Sequence, residues 1–143
     1  MTPYEKKGWF RLELPEGWVA DESEEPLTFT PPRGDGMLQV TVQDPRPLKP
    51  GEKLDPALLL VAFLGQAGVT LGPAGARSHG AGGLDWAEAE WTEEAEDVGP
   101  VSWRGWIATN HDLFAFLTYA CPAGQEEADR AELGSMLASF RLG

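Results

Sequence analysis

The sequence predicts an α+β fold built on an antiparallel sheet covered on both faces, and three observations carry that prediction. Val101 to Cys121 holds two β-rich runs flanking the polar break Asn110-His111-Asp112, the signature of a hairpin. The second run is apolar on both of its alternating faces. Leu113, Ala115, Leu117, Tyr119 and Cys121 fall on one, and Phe114, Phe116, Thr118 and Ala120 on the other. A strand of that kind wants cover above and below, as in the middle layer of a sandwich. Lastly, two segments of helical character, Ala57 to Ala67 and about Gln125 to Phe140, interrupt an otherwise strand-like chain.

Taken in order, Gly8 to Leu14 alternates Phe10, Leu12 and Leu14 against Trp9, Arg11 and Glu13, a half-buried strand. Pro15-Glu16-Gly17 ends it with turn chemistry, and Trp18-Val19 supplies an apolar anchor beyond. Acidic Asp21 to Glu25 reads as a solvated loop. Leu27 to Thr30 is a short strand stopped by Pro31-Pro32, and Arg33-Gly34-Asp35-Gly36 turns the chain into Met37 to Gln43. There Leu38, Val40 and Val42 face inward. The prolines at 45, 47 and 50 make Asp44 to Asp55 an extended connection.

Asp55 is a suitable helix N-cap with Pro56 pre-set at the first helical position, and Gly68 can close the helix. Ala57 to Ala67 is so apolar that burial on most of its circumference is expected. Val69 to Gly83 is glycine-rich and aperiodic, a loop around a short extended piece. Leu84 to Thr92 alternates again, with Ala87, Ala89 and Trp91 against Trp86, Glu88 and Glu90. Glu93 to Asp97 with Gly99-Pro100 forms the turn into the central hairpin, and Pro122 ends that hairpin. Asn110 is the residue suited to the left-handed conformation that its turn needs. The final helix presents Ala128, Leu133, Met136, Leu137 and Phe140 as its inner stripe.

A chain of 143 residues fits one domain, 1–143, with no repeat and no internal boundary. Its 42% hydrophobic and 24% charged content is that of a soluble globular protein. With 23 acidic and 11 basic residues the formal net charge is −12. That charge repels phosphate backbones and anionic lipid, so neither nucleic acid nor membrane is an expected partner. The lone Cys121 suits a reducing compartment. No apolar run follows Lys6 and Lys7, and the longest one, Ala57 to Leu64, falls short of the ~20 residues of a membrane span. Cytoplasmic localisation is the expectation.

Phe10, Leu12, Leu14, Pro15, Gly17 and Trp18 spell a Phe-x-Leu-x-Leu-Pro-x-Gly-Trp motif, and Ser139-Phe140 closes the last helix. In these motifs, and in the order strand, hairpin, helix, several strands, helix, the chain resembles bacterial members of the PsbP-like superfamily. The resemblance spans nearly the whole chain. It implies an antiparallel sheet of about six strands sandwiched between helices. It also implies mostly non-catalytic relatives: a photosystem accessory subunit, a Ran-binding nucleotide-release factor and effector chaperones of type VI secretion. The matching residues are core and turn positions, so no binding residue carries over.

Candidate chemistry is sparse. Cys121 and His111 sit at opposite ends of one strand, roughly 30 Å apart at about 3.3 Å per residue, and cannot form a nucleophile–base pair. His79, the other histidine, lies in a loop that the sequence does not place. Neither histidine has partners at zinc spacing, and Asp35 has no calcium-loop pattern around it. Glu88 and Glu90 share a strand face, where paired glutamates are ordinarily solvated. Gly80-Ala81-Gly82-Gly83 lacks the strand and lysine of a phosphate-binding loop, and a turn explains Arg33-Gly34-Asp35 without an adhesion partner. No catalytic residue, metal site or cofactor is expected.

Tryptophan is the remaining signal: six in the chain, four of them between Trp86 and Trp106. With a three-residue turn in the central hairpin, Trp106 would lie across from Phe116 and Trp103 across from Tyr119. Arg104 shares the face of Trp106 and can stack on it. Two readings follow: an aromatic core under a helix, or a rim where Trp86 or Trp106 emerges beside Arg104 as an anchor patch. The expected function is a non-enzymatic accessory or interaction protein, monomer or homodimer, that binds a protein or peptide through Trp86, Trp103, Arg104 and Trp106, with chaperone or adaptor as its concrete form. The alternative is a small-ligand binder or enzyme with a pocket between sheet and helix, near Cys121 or Glu88 and Glu90.

Overall fold

The computed structural model describes residues 2–23, 25–32, 35–44, 53–71, 75–97 and 99–143. The proline-rich connection at 45–50 and the Arg33-Gly34 half of the second turn lie outside the described residues. Alternating burial produces the strands that alternation predicts. β2 (Phe10–Leu14) buries Phe10, Leu12 and Leu14, while β4 (Leu27–Thr30) and β5 (Met37–Gln43) pair as an antiparallel hairpin with Leu38 and Val40 buried. Four strands form with no apolar alternation to announce them: β1 (Thr2–Lys6), β3 (Val19–Asp21), β6 (Arg77–Ala81) and β10 (Arg141–Leu142). β1 and β10 flank β2, and β3 borders β4. Each is an edge strand held by its backbone ladder to an inner strand, so its side chains need no apolar period.

The main sheet has seven strands in the order β3-β4-β5-β9-β8-β7-β6, and a separate sheet has the order β1-β2-β10. β6 is Arg77–Ala81, β7 Leu84–Ala95, β8 Gly99–Thr109 and β9 Phe114–Pro122. β9 stands at the middle of the seven, as its two apolar faces require. Its cover is not helix on both sides, however. One face lies under helix α1 (Pro56–Gln66), whose Leu60 and Leu64 pack on Ala87, Ala89, Ile107 and Phe114. The other lies under β2 and helix α2 (Arg130–Ser139) together, with Phe10, Leu12, Leu133, Met136 and Phe140 against Trp86, Trp106, Leu117 and Tyr119. The α+β class and the antiparallel sheet hold. The expected six strands between helices become seven, with a small sheet sharing one covering layer.

Four local expectations are corrected. The β8–β9 loop is Asn110–Leu113, one residue longer than the assumed turn, so Trp106 opposes Leu117 and Trp103 opposes Ala120. The left-handed residue is His111 (φ 72), while the Asn110 side chain accepts hydrogen bonds from the backbone N–H of Asp112 and Leu113 at 2.9 and 2.7 Å. Glu93 to Ala95 and Gly99-Pro100 belong to β7 and β8, not to a turn. The last helix starts at Arg130 because 125–129 is spent on separate turns, and Ala128 is exposed. Asp129 is buried and accepts from the Tyr119 hydroxyl, so its carboxylate does not cap the helix.

α1 is the largest departure. Its ends form as expected: Asp55 accepts from the N–H of Ala57 and Leu58, and Gly68 (φ 82) follows the last turn. Its circumference does not. Leu58 is 69% and Val61 47% exposed, because a helix lying on a flat sheet meets it along one stripe only.

Candidate functional site

The alternation of β7 and β8 sorts the predicted residues onto two faces. Glu88 pairs with Trp106, Glu90 with Arg104 and Trp86 with Ala108, all towards α2. Trp103 pairs with Trp91 on the opposite face, towards α1. There the two indoles stack at 5.9 Å between centroids, and Trp91 Nε1 donates to Glu93. Gly105 leaves room for this, since a Cβ there would stand 3.1 Å from the Trp91 ring. Trp103 therefore does not join Arg104 and Trp106 in one patch. Trp86 and Trp106 are only 4% and 2% exposed, so neither emerges as a free anchor at a rim.

They do form the floor of a crevice. His79, Ala81, Trp86, Glu88, Arg104 and Trp106 line it from the sheet, and Leu137, Ala138 and Arg141 close it from the other side, around a volume of about 170 Å³. The Arg104 guanidinium lies 4.8 Å over the Trp106 ring, the stacking that the shared face predicts. Its Nε approaches Glu90 at 3.5 Å and its Nη2 approaches Glu88 at 3.8 Å, while Arg77 reaches the other Glu88 oxygen at 3.6 Å. Each pair contributes at most about 1 kcal/mol at such exposure. Together they fix Arg104 over the indole. Trp86 donates through Nε1 to the Ala81 carbonyl at 3.2 Å, and His79 stacks nearly parallel on its ring. Arg141 donates to the carbonyls of Ala138 and Phe140 at 3.0 and 2.7 Å, and no carboxylate among the described residues pairs with it. A shallower hollow of about 520 Å³ on the far side of Arg141 is lined by β1, β2 and Ser139.

Glu88 and Glu90 thus flank guanidinium groups. Cys121 is buried under the small sheet and α2, and burial pushes its thiol up, away from the thiolate a nucleophile needs. β8 and β7 separate it from His79 on β6. His111 has partners that sequence reasoning missed: its Nδ1 accepts from the Leu54 N–H at 3.1 Å and its Nε2 lies 2.8 Å from Asp85. Asp85 is 26 residues away in sequence and meets His111 only because β7 runs back beside β8. The Arg141 wall of the crevice was missed too, because a two-residue strand after a helix has no pattern of its own.

No protein-family model matches the sequence, and no curated protein is significantly similar to it. Solved structures are similar in fold. Cyanobacterial PsbP from Synechocystis sp. PCC 6803 aligns at a TM-score of 0.64 and 13% identity, over 99% of this chain and 91% of that one. LpqN, described as involved in cell envelope biogenesis of Mycobacterium tuberculosis, aligns at 0.68 and 10% identity, over 99% of this chain and 89% of its own. A protein from Bacteroides thetaiotaomicron aligns at 0.68 and 14% identity, and this chain spans about half of its length, 48%. At these identities it is the fold that is shared. The molecule has the PsbP-like fold.

Proposed function

We propose that this protein is a non-enzymatic accessory protein, a chaperone or adaptor, that binds a protein or peptide through the crevice beside β6. One observation carries the reading: the crevice combines an indole floor with a guanidinium rim in a space of about 170 Å³. Pockets for free small ligands run about 300–1,000 Å³. This one suits a single side chain presented by a larger partner, and tryptophan and arginine are among the residues enriched at binding hot spots. The Bacteroides, Synechocystis and Mycobacterium likenesses supply the fold alone and name no partner.

The test uses Arg104, because Trp106→Ala would remove about 3–5 kcal/mol of core packing and confuse binding with unfolding. The full chain is used to capture partners from its host, and Arg104→Glu is compared with wild type after circular dichroism has shown both folded. A stoichiometric partner retained by wild type and lost about tenfold or more by Arg104→Glu is expected. Equal retention by both proteins would end the reading. Cell fractionation alongside is expected to find the partner and the protein in one compartment. The lone thiol fits the cytoplasm, whereas LpqN is an envelope-biogenesis protein by its description.

A further inference from the structure

β6 is the last strand of the seven-stranded sheet, and all five of its residues are exposed. It joins β7 through Gly82-Gly83, both at positive φ (61 and 78), a two-residue turn that glycine takes without strain. In such a hairpin the residues closing the turn, here Ala81 and Leu84, exchange both backbone hydrogen bonds, and the pattern alternates along the ladder. His79 and Arg77 then also bond inward. The N–H and C=O of Ser78 and Gly80 point outward, to a margin beside which no described strand lies. Sheets ordinarily guard such a margin with proline, lysine, a bulge or a covering segment. Arg-Ser-His-Gly-Ala has no proline, its one guanidinium is Arg77 at the strand's start, turned to Glu88 on β7, and its register with β7 is continuous, without a bulge.

The margin also borders the crevice. The pairs Arg77–Glu88, His79–Trp86 and Ala81–Leu84 put the side chains of Arg77, His79 and Ala81 on the crevice side. Three guanidiniums (Arg77, Arg104, Arg141) face two carboxylates (Glu88, Glu90) there, a local excess of positive charge on a chain of formal charge −12. We propose that β6 is a strand-addition site for an extended, acidic segment of a partner. The segment pairs its backbone with Ser78 and Gly80, and its carboxylate side chains, at alternate positions, turn to the crevice side. There Arg77 stands on the neighbouring strand, Arg141 lies against Gly82 of the adjoining turn, and Arg104, two strands further in, adds attraction at longer range. This rests on the crevice reading above and specifies its partner. A second copy of this chain is the weaker occupant, since it brings its own −12 to the contact.

Short random peptides displayed on phage and selected on the wild-type protein test this. Gly80→Pro removes the outward donor only, and a Cβ at Gly80 meets nothing closer than 3.9 Å, so the strand keeps its bonds to β7. Selected peptides are expected to carry Asp or Glu at alternate positions and to lose about tenfold in affinity on Gly80→Pro and on Ser78→Pro. They should lose as much on Arg77→Ala and a smaller amount on Arg104→Ala, and slow hydrogen exchange at the amides of Ser78 and Gly80. Peptides that need Arg104 but bind Gly80→Pro like wild type would overturn strand addition and leave the crevice reading standing. Peptides that need Gly80 and ignore Arg104 would keep strand addition and remove the crevice. No selection at all, or a wild-type dimer that Gly80→Pro dissolves, would overturn the proposed occupant.

Discussion

Tyr4 and Tyr119 are the only tyrosines in the chain, and both give their hydroxyl to a carboxylate, Glu22 and Asp129. Burial first, and the neighbouring carboxylate second, hold each phenol above its ordinary value, Tyr4 at about 12. A phenol raised in the folded state contributes stability that is fully present below its unfolded value, about 10, and is lost as pH rises through the folded value. Stability should therefore hold up to about pH 10 and fall from there towards 12. A spectrophotometric titration in the near ultraviolet should show no tyrosinate step while the protein stays folded below that window. One full tyrosine ionising near its ordinary value in the native protein would contradict the burial described. At this scale the sequence was legible where a contact is local. Arg104 over Trp106 follows from two residues of spacing on one strand. Tyr119 with Asp129 was not legible, because it depends on how α2 comes to rest against β9.

Among the elements, α1 tests the packing argument most directly. Its composition is apolar all round, yet Leu60 is fully buried while Leu58 is 69% exposed. Leu60→Ala should destabilise by about 2–5 kcal/mol, through lost contacts with Ala87, Ala89 and Ile107. Leu58→Ala should stay within about 0.5 kcal/mol of wild type. Chemical denaturation of the two variants separates these outcomes, and similar costs for both would mean that the helix is covered on its outer side as well. The β8–β9 hairpin teaches a related point. Its strands were legible from composition, but one extra loop residue shifted every cross-strand pair, and only the hydrogen bonds around Asn110, Thr109 and His111 determine that length.

For the whole molecule, charge sets the expectation. With 23 acidic and 11 basic residues, like charges crowd the folded surface, and the ion pairs among the described residues are exposed or half-buried. Raising salt from low ionic strength to about 0.15 M shortens the range of repulsion to about 8 Å. Self-repulsion weighs against the compact state, so screening it should raise the melting temperature in differential scanning calorimetry. A falling melting temperature over that range would mean that these pairs, Arg104 with Glu88 and Glu90 among them, contribute more than the repulsion costs.

The sequence by itself determined the α+β class, most strands, the caps of α1 and the burial of β9 on both faces, because these depend on side-chain period and on a few residues of local chemistry. The likeness to a PsbP-like fold was readable in Phe10 to Trp18 for the same reason: that run is a core strand followed by its turn. Only the tertiary structure decided which strands form by pairing alone, which face of α1 is wet, and that Trp86 and Trp106 lie buried rather than emerging at a rim. It alone brought Arg141 and His79 to the crevice and Asp85 to His111. Those outcomes depend on register and on contacts between distant segments, where a shift of one residue moves a side chain to the other face of the sheet.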